Sequence, residues 1–246
     1  MMDERVRHFF AGIPGMHGLT EAALSGWSGT VRILPAGVVL AVGDFMICGG
    51  EPWEHGRQTL ACMMAEQPRE WLLYVPGKWK ALLDGLGTFR PVTRQGFQLL
   101  QPDAIREDLV GWKSLPPGYS LAFMDRADAE ACLTADWSRD FVREHGSVEQ
   151  FLHRGMGILV RDAAGRPAAG ASAYVSWPWG LEVQLQTRQD QEGKGLATAA
   201  AAALLQAARY RGMAVAWDAA NAASAHIARK LGFIPGEQYT VWERLT

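Results

Sequence analysis

Residues 181–187 (LEVQLQT) alternate apolar and polar side chains, the pattern of a half-exposed strand. The same reasoning orders the rest of the second half of the chain. YSLAFMD (119–125) reads as a strand and residues 127–137 as a helix with apolar positions at helical spacing. Residues 147–153 read as a second helix, with Ser147 as N-cap and Gln150 as its capping-box partner. GMGILVRD (155–162) and AAGASAYVSW (168–177) are strand-like and joined by a turn, DAAGRP. After the alternating strand comes an alanine-rich helix over 195–210, with Arg209 and Arg211 at its negative end and Gly212 as its stop. A short apolar strand (213–217), a helix (221–231) ended by Gly232 and a strand (238–242) complete the order βααβββαβαβ.

The first hundred residues have a similar rhythm. TVRILPAGVVLAVGDFMIC offers strands, EHGRQTLACMMAEQ a helix, EWLLYVP a strand, KWKALLDGLG a helix and FRPVTRQGFQLL a strand or hairpin. DGLGTFRPVTRQGFQL resembles RKLGFIPGEQYTVW: helix end at Leu-Gly, then Phe, Pro and an alternating strand. Two readings stay open, a degenerate internal duplication and the general likeness of helix–Gly–strand junctions. A polar connection ending in Pro116-Pro117-Gly118 separates the blocks and predicts at most one short helix. The expected division is an N-terminal α/β region over 1–117 and a second unit over 118–246.

Composition narrows the class. A 48% hydrophobic share in 246 residues permits a substantial core, and a net charge of −2 gives nucleic acid or an anionic membrane no electrostatic footing. No apolar run reaches membrane-span length and the N-terminus lacks a signal core, so a cytoplasmic protein is expected, a monomer or a homodimer. Cys48, Cys62 and Cys132 lack metal-type spacing, and no metal is expected; they read as buried, reduced thiols.

The stretch QEGKGLAT (191–198), between the alternating strand and the alanine-rich helix, has the character of a phosphate cradle. Backbone N–H groups at a helix start are unpaired and the dipole favours anions, glycines permit close approach, and Lys194 adds charge. A mononucleotide P-loop is excluded because G-x-x-x-x-G-K-[ST] does not occur. Residues 193–198 nearly fit the dinucleotide fingerprint, with Asp218 at a suitable distance for a nicotinamide-dependent oxidoreductase. Against this, the sixth position is Thr198 and too little chain remains for a doubly wound sheet. The corresponding CGGEPWEHG of the first block has glycines but no lysine, and predicts no cofactor.

The loop and the Asn-led helix C-terminal to it together resemble the GNAT N-acetyltransferase superfamily. The loop signature [RQ]-x-x-G-x-[GA] is matched by Glu192, Gly193, Lys194, Gly195, Leu196 and Ala197 in all but its first position, with Thr198 continuing a common ending. The second signature, Asn followed by a helix ending in KLGF, is matched by Asn221 and Lys230 to Phe233. The resemblance covers about 119–242 and extends to a bacterial branch with an extra N-terminal region. It implies a mixed, mostly antiparallel α/β GNAT fold in the C-terminal half, behind a smaller α/β N-terminal domain.

That resemblance also implies a function: transfer of an acetyl group from acetyl-CoA to a primary amine, a small-molecule acceptor being expected. Leu185, Gln186 and Thr187 would run beside the pantetheine arm, a backbone N–H there polarising the thioester carbonyl. Residues 192–198 would hold the pyrophosphate, with Asn221 and Ser224 also on the cofactor. Asn221 reads equally as a helix N-cap. For the general base, Glu182 shares a strand face with Gln184 and Gln186, and Asp218 ends the next strand. Their structural readings are a solvent-facing charge and a helix cap; His153 and His226 are lesser relays. The tyrosine that usually protonates the thiolate is replaced by Ala228, with Tyr239 or solvent as substitutes. Trp177, Trp179 and Trp217 read either as pocket walls or as core. Glu192 and Ala228 motivate a rival reading, a non-catalytic acyl-CoA-binding or regulatory module.

Overall fold

In the computed structural model, residues 4–245 are described apart from Ala11, Pro14, Trp53 and 67–70. The chain opens with α1 (Glu4–Arg7), a 3-10 turn and α2 (His17–Leu24). A meander of β1 (Thr30–Ile33), β2 (Gly37–Val42) and β3 (Phe45–Gly50) leads through α3 (Gly56–Glu66) to β4 (Leu72–Tyr74), a 3-10 helix at Gly77–Leu83 and β5 (Thr88–Phe97). The second half runs β6 (Ser120–Phe123), α4 (Arg126–Thr134), α5 (Val148–Arg154), β7 (Gly157–Arg161), β8 (Pro167–Trp177), β9 (Gly180–Thr187), α6 (Leu196–Tyr210), β10 (Ala214–Ala216), β11 (Asp218–Ala219), α7 (Ala222–Lys230) and β12 (Pro235–Leu245). Apart from the short β11, this second half has the order that the hydropathy pattern predicts.

The two halves repeat one plan. β2 and β3 pair antiparallel, α3 crosses over, and β4 returns parallel to β3. Likewise β8 and β9 pair antiparallel, α6 crosses over, and β10 returns parallel to β9. The two similar segments noted in the sequence occupy matching places as β5 and β12. They pair with each other, Tyr239 opposite Arg94 and Val241 opposite Val92. Each half also lends its last strand to the other. β12 pairs with β4, while β5 pairs with β11 and its continuation bridges Leu100 to Val215 of β10. The result is a seven-stranded sheet, β1-β2-β3-β4-β12-β5-β11, beside a five-stranded sheet, β10-β9-β8-β7-β6. Strands β11 and β12, which lie beyond residue 118, therefore belong to the sheet that residues 30–97 begin.

Local chemistry explains most boundaries. Ser147 caps α5 by accepting the Gln150 N–H, as its spacing predicts, whereas the reciprocal box forms at α4 between Asp125 and Asp128. KWKALLDGLG forms a 3-10 helix rather than an α-helix, around buried Trp79 and Leu83. The connecting segment is less exposed than its polarity suggests: Ile105 and Leu109 are buried in the core around α6. Arg209 secures it by donating to the carbonyls of Pro102, Asp103 and Ile105 at 2.7–3.2 Å. Cys48 and Cys132 are buried as expected, but Cys62 is exposed on α3. Among the described residues, no helix is long and apolar enough to cross a membrane.

Candidate active site

The cradle forms as the glycines require. Gly193 and Gly195 adopt φ of 75° and 77°, left-handed conformations that disfavour a side chain, and both adjoin open space. Gly195 is the N-cap of α6, and no side chain caps that helix start. The first-turn N–H groups therefore remain available to an anion. Lys194 is held by the Gln191 side-chain oxygen at 2.8 Å and the Tyr119 hydroxyl at 3.0 Å. Glu192 is exposed at the rim.

Beside the cradle, β9 and β10 part company. Their parallel pairing covers only Gly180–Glu182 of β9, opposite Ala214–Ala216, while the other edge of β10 is bridged at Val215 to Leu100. One edge of β9 beyond Glu182 is thus open to an extended ligand, as in strand addition. Leu185, Gln186, Thr187, residues 192–198, Asn221 and Ser224 all line one cleft of about 580 Å³ at this splay. Gln191, Ala223, His226, Ile227 and Lys230 complete it. Gln191 falls within the cradle stretch and His226 reads from sequence as a lesser proton relay, whereas Ala223, Ile227 and Lys230 do not read as lining a site, although periodicity along α7 points to its 223/226/227/230 face. Asn221 does cap α7, its side chain accepting the Ser224 N–H at 2.9 Å, while Ser224 Oγ accepts from Trp217 Nε1 at 3.1 Å.

Glu182 and Asp218 lie on the other side of the splay, in a separate cavity of about 190 Å³. Glu182 is not a solvent-facing charge: it is 4% exposed, and neither carboxylate oxygen makes a well-formed hydrogen bond, the backbone N–H of Asp218 acting on it only weakly. It packs against α2 at Gly18, where any side chain would collide with the carboxylate. Burial, reinforced by the Asp218 charge, holds its carboxyl well above the usual range. Asp218 does not cap a helix either. Its Oδ2 accepts from Arg94 Nε at 2.5 Å, and its other oxygen is unpartnered. Burial raises its pKa against the opposing pull of Arg94. Tyr239 is buried beside this ion pair, its hydroxyl lacking a well-formed hydrogen bond.

Several expected participants are elsewhere. His153 is exposed on α5 and lines neither cavity. Ala228 is fully buried in the core, and Tyr239 borders the acid pair rather than the cleft. Trp177 and Trp217 are core residues, 0% and 2% exposed, while Trp179 is 44% exposed and meets Trp177 edge-on. No local pattern in the sequence marks Arg94, Asp44 or Tyr174, which join the second cavity. Asp44, at the β2–β3 turn, accepts from Arg143 Nη2 with both carboxylate oxygens at 2.9 Å and from the Tyr174 hydroxyl at 3.3 Å.

The two cavities abut. Val183 and Gln184 line the smaller one while Leu185 and Gln186 line the cleft, and Ala220 faces one where Asn221 faces the other. A glycine-rich helix start, an open strand edge and buried carboxylates beyond a splay thus sit in a fold whose N-terminal region is partly a tandem repeat of the second half's plan. The chain belongs to the GNAT acetyltransferase family, whose model matches residues 21–242. It is similar over 98% of its length to 97% of a GCN5-related N-acetyltransferase-like protein from Streptococcus suis, with 28% identity and a TM-score of 0.84. A GCN5-related N-acetyltransferase from Kribbella flavida shares the fold at 19% identity and a TM-score of 0.63, covering 100% of this chain and 97% of that one. A tandem GNAT protein from the clavulanic acid biosynthesis pathway shares it at 16% identity and a TM-score of 0.53, covering 85% and 78%. No curated protein matches the chain.

Proposed function

We propose that the protein is an acetyl-CoA-dependent N-acetyltransferase that acts on a small primary amine by direct transfer. The observation that carries this reading is the meeting of two cavities on consecutive residues of the splayed strands. In this reading acetyl-CoA supplies an activated acyl group. Residues 192–198 hold its pyrophosphate with backbone N–H groups and Lys194, and the open edge at Leu185–Thr187 pairs with its amide-bearing arm. A backbone N–H of that edge stabilises negative charge developing on the carbonyl oxygen.

The amine enters from the smaller cavity. Glu182 takes its proton, an assignment favoured by its burial, its lack of well-formed hydrogen bonds and its raised affinity for a proton. Asp218, fixed by Arg94, keeps a negative charge close by and so strengthens Glu182 as a base. Ala228 leaves thiolate protonation to solvent at the open cleft. The test is release of free CoA from acetyl-CoA across a primary-amine panel, with mass spectrometry of the products. Saturable acetyl-CoA binding without CoA release would favour the non-catalytic acyl-CoA-binding module instead.

A further inference from the structure

The cavity that contains Glu182 is built by both halves, and its lining has a definite chemistry. Leu19, Phe45 and Leu72 come from the N-terminal half and form an apolar wall. Arg94 comes from the exchanged strand β5, its guanidinium stacked 5.0 Å from the Phe45 ring and its Nε engaged by Asp218. Arg143, outside the lining itself, reaches two of the lining acids, Asp44 at 2.9 Å and Asp140 at 3.2 Å.

Two guanidinium groups therefore stand against four carboxylates, Asp44, Asp140, Glu182 and Asp218. Both Glu182 oxygens and one Asp218 oxygen are buried without a well-formed hydrogen bond, with the Tyr239 hydroxyl beside them in the same condition. Buried carboxylate oxygens short of donors are costly, so a ligand that brings donors is favoured here over one that brings acceptors. An ammonium or amine head offers donors only, or donors in excess, and shares a single proton with Glu182. A carboxylate-bearing ligand would instead meet four acids and two guanidinium groups that are already engaged by three of them. At water's share of about 30 Å³ each, 190 Å³ holds the volume of about six waters.

We infer that this cavity is the acceptor site and that it selects a compact monocationic primary amine: an apolar body of a few carbons or one ring, with no carboxylate. The amine head would face Glu182 and Asp218, and the body would rest on Leu19, Phe45 and Leu72. The N-terminal half thereby acts as the acceptor-selecting part of the molecule. This inference rests on the acyltransferase reading for the transfer step, but the binding preference stands or falls separately.

The test is calorimetry on the full chain, both without nucleotide and saturated with CoA. The probes are 2-phenylethylamine, phenylalanine, 3-phenylpropionate and 2-phenylethanol. The expected result is one 2-phenylethylamine per chain, bound at least tenfold more tightly than any of the other three. Leu72→Trp, which fills the apolar wall, should reduce that binding tenfold or more while acetyl-CoA affinity changes less than twofold. Equal or tighter binding of phenylalanine or 3-phenylpropionate, binding unaffected by Leu72→Trp, or no binding by any probe would overturn the inference. Amine binding without acetyl-CoA binding would uphold it and remove the acyltransferase reading. Acetyl transfer confined to large or carboxylate-bearing amines would do the reverse.

Discussion

The two halves share a strand plan but differ at the place where the central strand meets its helix. In the second half β9 ends in an open edge, and two left-handed glycines deliver the chain to an uncapped helix start. In the first half the equivalent point is closed. The Gly50 carbonyl at the end of β3 accepts from Trp79 Nε1 at 2.9 Å, and the Trp79 side chain is wholly buried. Glu51, paired with Lys78 at 3.0 Å, precedes α3 where a phosphate would need positive charge. An indole thus occupies the gap that stays open in the other half. The same framework leaves an open cleft in one half and a packed wall in the other, and one side chain from a 3-10 helix makes much of the difference.

Breaking the chemistry of the second half should have the largest effect. Glu182→Gln should lower kcat/KM by about 10²–10⁴-fold, read by CoA release, with acetyl-CoA affinity little changed. In the parent protein the rate should rise with pH through a value above the ordinary carboxylate range, since protonated Glu182 cannot accept the amine proton. The sign for stability is opposite. Folded Glu182 keeps its proton at pH values where the unfolded chain has released it, so stability falls as pH rises through that window. Thermal unfolding of Glu182→Gln across pH should lose this component.

Trp79→Ala attacks the closed half. It should cost about 3–5 kcal/mol in denaturant unfolding, as for other large core deletions, without creating a second acyl-CoA site. Gly195→Val tests the open half. Forcing a β-branched residue into the left-handed region costs about 1–2 kcal/mol and reshapes the loop, so acetyl-CoA should bind at least about tenfold more weakly by calorimetry. The smallest change is expected at the rim. Glu192→Gln removes a carboxylate beside the expected pyrophosphate and should tighten acetyl-CoA binding by a few-fold, an effect that shrinks with added salt.

How legible these features were in the sequence depends on the distances involved. The cleft is built from two short segments, 185–198 and 221–230, whose spacing, glycines and periodicity carry the geometry locally. The second half's element order was readable for the same reason. The acceptor cavity depends on residues far apart in the chain. Arg94 meets Asp218 across 124 positions, and Asp44 meets Tyr174 across 130. The first meeting depends on β5 crossing to pair with β11, and the second on the β2–β3 turn packing against β8; both are contacts between halves that leave no local signal. Glu182 shows the limit most clearly: alternation placed it on a strand face, but α2, from residues 17–24, is what buries it.

In the proposed reading one half holds the acyl-CoA and the other half is closed. Titrating acetyl-CoA into the 246-residue chain by calorimetry tests this directly, and one saturable site per chain is expected. Two equivalent sites per chain, or a single site whose affinity is unchanged by Gly195→Val, would contradict it.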